Sequence, residues 1–295
     1  MEPVYSGVIT VARGVFAAQG IRFTVTGVEH VPRHGGAVMV INHTGYMDFT
    51  YAGYAARPAR RYVRFMAKDS VFRHKVSGPL MRAMKHIPVD RSAGASSYGH
   101  AVRFLRQGEI VGVFPEATIS RSFELKAFKN GAARMAQEAG VPMLPVVMWG
   151  SQRVWTKGHP KRLGRTNVPI VIAVGEPVPV APGESIDEAT TKIHAVMEDM
   201  LHALQESYEP LTGDERVFLP ARLGGAAPTL EEANQLDETS GATRSVRRAR
   251  PARRNGPPRR RSRPRRGDLG RRRSSHTPSG GCGDRVLESR AWPVH

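Results

Sequence analysis

Short apolar runs alternate with amphipathic, helix-like segments along most of this chain, and the alternation limits what it can fold into. The run Ala37–Asn42 is typical of a buried strand, and apolar residues recur at helical spacing after Ser185. Further strand-like stretches lie at Ile21–Val28, Tyr62–Ala67, Glu109–Pro115, Val141–Trp149 and Val168–Val174, and helix-like stretches lie near Tyr46 and at Ser77–Lys85, Ser96–Arg106 and Gly131–Glu138. Strands alternating with helices predict an α/β domain of roughly 210 residues.

The charge of the chain is unevenly distributed. The 295 residues carry a formal net charge of +18, yet residues 241–295 contain 17 arginines and three acidic residues and so account for +14 of it. This arginine-rich tail, which is also rich in proline, glycine and serine, has too little apolar surface to form a core. The sequence therefore predicts an N-terminal amphipathic helix over residues 1–20, a folded domain over 21–240 and a disordered tail over 241–295.

Cysteine usage and hydropathy restrict the class of protein. The single cysteine, Cys282, excludes an intrachain disulfide framework and a cysteine-based metal site, and it fits a reducing, cytosol-facing compartment. No uncharged apolar run reaches the 18 residues that indicate a transmembrane helix. Glu2 and Arg13 in the first residues argue against a secretory signal peptide.

The N-terminal segment has two interpretations. Val8, Val11 and Val15 recur at helical spacing, and Arg13 is the only charged residue between positions 4 and 19. Such a helix either packs on the core or lies in a membrane interface with its apolar side toward the acyl chains. The residues by themselves do not decide between the two.

His43 and Asp48 are the most informative pair of residues, in the segment 41–48 of sequence INHTGYMD. On one continuous helix they would lie about 140° from alignment. A turn containing Gly45, placed after a buried strand, can instead fold the chain back so that Asp48 accepts a hydrogen bond from His43. An imidazole oriented by a carboxylate can act as a general base through its other nitrogen, although a single histidine is often structural.

Three further stretches carry candidate site residues. Residues 87–91 end an apolar segment with a cation suited to a phosphate, for which the alternative is a solvated surface charge. Residues 114–120 follow an apolar strand with a carboxylate, which could alternatively be a helix N-cap partner, and two hydroxyl groups. Residues 141–147 form a strand bracketed by prolines. The candidate site residues in these stretches and beside them are Arg91, Glu116, Thr118, Ser120 and Arg121.

In order and spacing these four blocks resemble those of the 1-acylglycerol-3-phosphate acyltransferase family, part of the glycerolipid acyltransferase superfamily. The family patterns are Asn-His-x4-Asp, Ile-x-x-Asp-Arg, Phe-Pro-Glu-Gly-Thr-Arg and Val-Pro-x-x-Pro-Val, and the resemblance runs from about Gly27 to Val180. It implies an α/β fold with a mixed, mostly parallel sheet flanked by helices, as in glycerol-3-phosphate acyltransferase. It makes residues 21–240 an acyltransferase domain.

The resemblance also implies the chemistry. A fatty acyl group would pass from an acyl-CoA or acyl-carrier-protein thioester to the free hydroxyl of a lysophospholipid, most directly 1-acylglycerol-3-phosphate, giving phosphatidic acid in phospholipid biosynthesis. His43 would be the catalytic base and Asp48 its orienting partner. Arg91 would hold the acceptor phosphate with help from the 116–120 turn. No metal or redox cofactor is expected, since the acyl thioester is a co-substrate.

The third block departs from the family pattern at two positions. Ala117 stands where the family has Gly, and Ile119 stands where it has Arg, so that Arg121 is the nearest cation in sequence. Arg134 is a further candidate to compensate. Another lysolipid or a glycolipid therefore remains open as the acceptor.

Two basic clusters suggest an anionic membrane surface as a partner. Ten basic residues lie between Arg57 and Arg91, and five more lie between Arg153 and Arg165 without an acidic residue. Such cations contribute about 1 kcal/mol each near an anionic leaflet, so we expect a peripheral enzyme on the cytoplasmic face of the cell membrane. Nucleic-acid binding through the arginine-rich tail is the alternative of another class. It is disfavoured because Trp292 is the tail's only aromatic residue.

Overall fold

The computed structural model describes residues 2–90 and 94–249 as a seven-stranded sheet covered by helices on both faces. The strands are β1 (Arg22–Thr26), β2 (Ala37–Ile41), β3 (Val63–Lys68), β4 (Ile87–Val89), β5 (Ile110–Val113), β6 (Met143–Trp149) and β7 (Pro169–Val174). The helices are α1 (Pro3–Ala18), α2 (Asp48–Ala55), α3 (Asp69–Arg73), α4 (Ser77–Ala83), α5 (Gly94–Arg106), α6 (Gly131–Ala139), α7 (Ile186–Ser207) and α8 (Leu230–Ala249).

The strand order confirms a mixed, mostly parallel α/β sheet. It runs β1-β7-β6-β2-β5-β3-β4, and every neighbouring pair is parallel except β6 and β7. The three central strands β6, β2 and β5 are buried along their whole length, as their continuous apolar runs predict for strands covered on both faces.

Strand β2 shows how one short sequence serves two cores. Val38 and Val40 pack on the side of the sheet covered by α5, α6 and α7, whereas Ala37, Met39 and Ile41 pack on the side covered by α1 and α2. This alternation is the two-residue period of a strand. The sheet is therefore the middle layer of three, and the ends of its central strands are held rigidly from both sides.

Helix α1 has a buried side and an exposed apolar side. Tyr5 and Phe16 are buried, and the Tyr5 hydroxyl donates to the carbonyl of Val63 at 2.8 Å. Val11 and Val15, by contrast, are 68% and 47% exposed. Packing on the core therefore accounts for one side of the helix only. No helix among the described residues is long and apolar enough to cross a membrane.

Helix α7 begins as expected, because Ser185 accepts a hydrogen bond from the Glu188 N–H.

The last helix extends beyond the boundary predicted from composition. Helix α8 continues to Ala249, so residues 241–249 are helical although the sequence assigns them to the disordered tail. The remainder of the predicted tail, residues 250–295 with Cys282, lies outside the described residues.

Candidate active site

The site lies where the three central parallel strands end. His43 follows β2, Glu116 follows β5 and Ser151 follows β6, so the strand order β6-β2-β5 brings these residues to one edge of the sheet. Asn42 fixes this edge: its side-chain amide donates to the Met148 carbonyl at 3.0 Å and accepts from the Met148 N–H at 2.8 Å. The carboxyl edge of an α/β sheet is the usual place for a ligand site.

Asp48, the first residue of α2, binds the imidazole of His43. The distance between His43 Nδ1 and Asp48 Oδ2 is 3.0 Å, and the carboxylate is fully buried. Its Oδ2 also accepts the N–H groups of Thr44 and Gly45 at 2.8 Å each, and its Oδ1 accepts the Ser151 hydroxyl at 2.5 Å. An ionised carboxylate can only accept hydrogen bonds. The Nδ1 atom of His43, which faces Oδ2, therefore carries the proton of the neutral imidazole.

This tautomer leaves Nε2 of His43 as the basic nitrogen. The His43 side chain is 21% exposed, and its ring lies 4.4 Å from the Phe114 ring between centroids. Among the hydrogen bonds of the described residues, none engages Nε2. The arrangement can therefore remove a proton from a substrate hydroxyl that approaches from the open side.

Gly45 permits the close approach of the turn to Asp48. A Cβ atom at this position would lie 3.0 Å from both Asp48 Oδ1 and Ser151 Oγ and 3.1 Å from the Ser151 carbonyl oxygen. Ser151 itself was missed by the sequence reasoning. A hydroxyl residue directly after the buried run of β6 is a signal that could have identified it.

Glu116 and Ser120 hold the backbone of His43 from the neighbouring loop. Glu116 accepts the His43 N–H at 2.7 Å and the Lys126 N–H at 3.2 Å, and the Ser120 N–H donates to the His43 carbonyl at 2.7 Å. Burial raises the pKa of Glu116 to about 8 against the opposing effect of the two N–H donors.

These contacts bear on two predicted substrate-binding residues. Glu116 is 5% exposed and Ser120 is fully buried, with its hydroxyl donating to the Glu124 carbonyl at 2.7 Å. Both side chains are thus turned into the protein. Their positions indicate that Glu116 and Ser120 hold the His43 backbone in place and do not contact the substrate directly. The sequence predicted direct contact.

The two departures in the third block have different structural settings. Ala117 has a φ of 59°, in the left-handed region that favours the family's Gly, and its N–H closes a turn onto the Phe114 carbonyl at 3.1 Å. Ile119 is 5% exposed and belongs to the buried apolar residues. The turn at Ala117 therefore has a backbone conformation that glycine adopts readily, while the position of the family's Arg is apolar.

Thr118 and Arg121 meet two lysines and an aspartate that sequence reasoning missed. Lys157 Nζ donates to Thr118 Oγ1 at 2.9 Å and to Asp237 Oδ1 at 2.6 Å. Asp237 also accepts from Arg121 Nε at 3.2 Å and from Lys126 Nζ at 2.8 Å. No spacing rule signals these partners, since they come from three separate segments of the chain.

Arg91, the other predicted phosphate ligand, lies outside the described residues. Its predicted contact with phosphate therefore stays a prediction. Arg134, also considered as a compensating cation, is an exposed residue of α6.

Several cations of the two basic clusters are occupied within the fold. Arg64 is 2% exposed and bonds to Glu2 and Glu109 at 2.7 and 3.0 Å, while Arg61 donates to the carbonyls of Pro32, Gly35 and Gly108. In the second cluster Arg153 and Arg162 share Glu215. The prediction that the clusters face a membrane is wrong for Arg64, because its charge is buried and paired. Arg73, Lys75 and Arg82 are exposed.

No group of three or more histidine, cysteine or carboxylate side chains that could hold a metal ion occurs within the part of the chain that the structure describes.

Comparison with known proteins bears on this site directly. Residues 22–149 match the family model described as Acyltransferase. Over 154 residues the chain is 30% identical to a 1-acyl-sn-glycerol-3-phosphate acyltransferase of Bacillus subtilis (strain 168), and the match covers 51% of this chain and 70% of that protein. The chain belongs to the 1-acyl-sn-glycerol-3-phosphate acyltransferase family. The segment that matches the family model, residues 22–149, contains His43, Asp48 and the 116–121 loop.

Two further proteins are similar to this chain, one in sequence and one in structure. A protein of the same name from Borreliella burgdorferi (strain ATCC 35210 / DSM 4680 / CIP 102532 / B31) is 30% identical over 141 residues, which cover 47% of this chain and 55% of that one. The crystal structure of the 1-acyl-sn-glycerophosphate (LPA) acyltransferase PlsC from Thermotoga maritima superposes with a TM-score of 0.56 over 70% of this chain and 90% of that chain, at 21% identity. The structural likeness confirms the fold.

Proposed function

We propose that this protein transfers a fatty acyl group from an acyl thioester to the free hydroxyl of 1-acyl-sn-glycerol-3-phosphate and so makes phosphatidic acid. The observation that carries the proposal is the hydrogen bond between His43 and the buried Asp48, which leaves one imidazole nitrogen open at the carboxyl edge of the sheet. An oriented base of this kind needs no protein nucleophile when the substrate brings its own hydroxyl.

The reaction proceeds in two proton-coupled steps. Nε2 of His43 takes the proton of the acceptor hydroxyl as its oxygen attacks the thioester carbonyl carbon, and Asp48 stabilises the imidazolium that forms. The tetrahedral intermediate then collapses, the carbon–sulfur bond breaks, and the proton on Nε2 passes to the leaving thiolate. An ester and a free thiol result, and His43 is regenerated.

The names of the relatives support the choice of acceptor. The Bacillus subtilis and Borreliella burgdorferi proteins carry the name of an acyltransferase for 1-acyl-sn-glycerol-3-phosphate. The cations beside Thr118 offer charge for a phosphate near His43. The donor is an acyl-CoA or an acyl-carrier protein, since both present the same thioester. The apolar Ile119 in place of the family's Arg keeps another lysolipid or a glycolipid as the alternative acceptor.

We place the enzyme at the cytoplasmic face of the cell membrane as a peripheral protein. Tyr5 of α1 packs with Phe72, Met81 and Met84, so α1 lies against α3 and α4. Several apolar side chains of these three helices and of the connection between α3 and α4 remain exposed, and the cations Arg73, Lys75 and Arg82 are exposed as well. The exposed apolar residues of these helices and their connection are Val4, Val11, Val15, Val71, Val76 and Leu80. Apolar side chains mixed with cations are typical of a surface that lies in an anionic membrane interface.

An acceptor panel with wild type and His43→Ala tests the function. The panel contains 1-acyl-sn-glycerol-3-phosphate, other lysophospholipids and 1-acylglycerol as acceptors. Each is assayed with two acyl donors, acyl-CoA and acyl-carrier protein that carries a fatty acyl thioester. We expect His43→Ala to lower kcat by about 10²- to 10⁴-fold, whereas His34→Ala, an exposed histidine elsewhere, keeps wild-type activity. Full activity in His43→Ala would contradict the mechanism, and preference for an acceptor without phosphate would contradict the proposed substrate.

A further inference from the structure

Three cations converge on one carboxylate from the last helix. Asp237 of α8 bonds to Lys157 at 2.6 Å, to Lys126 at 2.8 Å and to Arg121 at 3.2 Å. We refer to Arg121, Lys126 and Lys157 as the cation cluster. Thr118 adds a hydroxyl to it, because Lys157 Nζ donates to Thr118 Oγ1 at 2.9 Å.

The cation cluster is attached to both loops that support His43. Thr118 and Arg121 belong to the loop whose Glu116 and Ser120 hold the His43 backbone. Lys157 follows Thr156, whose hydroxyl donates to the Thr44 carbonyl at 2.6 Å. A ligand bound by the cluster would therefore lie beside the turn that contains His43 and Gly45.

The charges of the cluster do not balance. Asp237 is the carboxylate within salt-bridge distance of all three cations in the described part of the chain, so one negative charge faces three positive ones. The cations are only 12–21% exposed, which makes water a poor substitute for an anion. Burial opposes ionisation of Asp237, but hydrogen bonds from Lys126 and Lys157 outweigh it and lower its pKa. A phosphate dianion would compensate the cluster better than a carboxylate does.

Helix α8 has little apolar packing to hold it at this position. Between residues 230 and 240, all of which the structure describes, the only buried side chain is that of Ala233, whereas Leu230 and Leu236 are 39% and 46% exposed. The ion pairs of Asp237 are thus a main attachment of this part of the helix. An anion that competes for the cluster would release it.

We propose that Asp237 is an internal competitor for a phosphomonoester, and that Arg121, Lys126, Lys157 and Thr118 form the phosphate site that the Asp237 carboxylate occupies. The inference rests on the proposed function in taking this phosphate to be that of the acceptor. The phosphomonoester of coenzyme A and inorganic phosphate have the same chemistry, and the experiment separates these sources.

Binding of inorganic phosphate tests the site without any acyl transfer. The full chain is titrated with phosphate at constant ionic strength, and the thermal shift is recorded for wild type, Asp237→Asn and Glu238→Gln, an exposed neighbour on the same helix. We expect Asp237→Asn to bind phosphate about tenfold more tightly, the size of one charge-assisted hydrogen bond. Glu238→Gln should behave as wild type. Equal phosphate responses in all three proteins would overturn the proposal.

Kinetics then identify the source of the phosphate. In Asp237→Asn we expect KM for 1-acyl-sn-glycerol-3-phosphate to fall about tenfold, and in Lys157→Gln we expect it to rise by a similar factor, with KM for acyl-CoA unchanged. Changes confined to KM for acyl-CoA would overturn assignment of the site to the acceptor. Should Asp237→Asn fail to fold, an unchanged acceptor KM in Lys157→Gln would overturn the proposal by itself. Inactivity toward every acceptor would count against the proposed function and leave the phosphate titration valid.

Discussion

The Nδ1 atom of His43 lies 3.0 Å from Oδ2 of Asp48, although five positions separate the two residues in a chain that leaves a strand and enters a helix between them. The contact is possible because the turn at Gly45 reverses the chain and α2 begins at Asp48 itself. The same carboxylate holds two backbone N–H groups of the turn and the Ser151 hydroxyl. Orientation of the His43 imidazole and closure of the turn therefore depend on one side chain.

Asp48→Asn should lower activity and stability together. An amide presents an N–H₂ group to donors that need an acceptor, so His43 loses its orienting partner and the turn loses hydrogen bonds. We expect kcat to fall by about 10²- to 10⁴-fold and the melting temperature to decrease, as measured by steady-state kinetics and thermal unfolding. Asp199→Asn, at an exposed position of α7, serves as the control. An unchanged kcat in Asp48→Asn would show that His43 acts without this carboxylate.

Glu116 should make the stability of the protein pH-dependent. Its pKa is about 8 in the folded chain against 4.5 for the ordinary group, because burial favours the neutral form. The folded state binds this proton more tightly than the unfolded state. The stabilising contribution is therefore complete below pH 4.5, decreases as the pH rises and is lost above about 8, with a slope of up to about 1.4 kcal/mol per pH unit.

Urea unfolding of wild type and Glu116→Gln across this pH interval measures the effect. The free energy of unfolding of the wild type should fall relative to that of Glu116→Gln as the pH rises, since glutamine does not titrate. Glu231→Gln, an exposed position in the first turn of α8, should follow the wild type. Parallel pH profiles for Glu116→Gln and wild type would contradict the raised pKa.

Ala117→Gly should stabilise the protein. The φ of 59° at Ala117 costs conformational free energy for a residue with a Cβ atom and almost none for glycine. Glycine also gives the unfolded chain more conformational entropy, and this offsets part of the gain in stability. We expect a net gain of about 0.5–1 kcal/mol in the free energy of unfolding. The matched change Ala203→Gly, at an exposed position within α7, should destabilise by about 1 kcal/mol. Destabilisation by both changes would show that the turn at Ala117 is not strained.

Val11→Glu combined with Val76→Glu should weaken binding to anionic vesicles. Both valines are 68% exposed, so the double variant should keep its fold, while each valine that enters the interface contributes up to about 1.5 kcal/mol. We expect the vesicle partition coefficient to fall by at least about tenfold in a sedimentation assay. The control is Leu230→Glu on α8, which is 39% exposed. Equal sedimentation of all variants would contradict the proposed membrane surface.

Substitution is a better test here than removal of residues 1–20. Glu2 bonds to Arg64 through both carboxylate oxygens at 2.7 Å, and the guanidinium lowers the pKa of Glu2 to about 2. Truncation would leave Arg64 with part of its charge unpaired inside the protein.

The elements of the fold and the contact between His43 and Asp48 could be predicted because their signals are local. The continuous apolar run of β2 indicates a strand buried on both faces, and Ser185 with Glu188 marks the start of α7. His43 and Asp48 are close in sequence, so a single turn suffices to bring them together. Residues 241–249 show the limit of composition, since a segment poor in apolar side chains still continues the α8 backbone.

Contacts between distant segments were decided by the tertiary structure alone. Arg64 has the sequence surroundings of an exposed basic cluster, yet β3 carries it into the interior beside Glu2 and Glu109. Arg121 and Asp237 are 116 positions apart, and nothing in either neighbourhood indicates that they pair. Local sequence determined the strands, the helices and the oriented histidine, because these depend on side-chain period and on single turns. Which charges meet depended on the order of the strands and on the path of α8, because an ion pair forms between whichever groups the packed layers bring together.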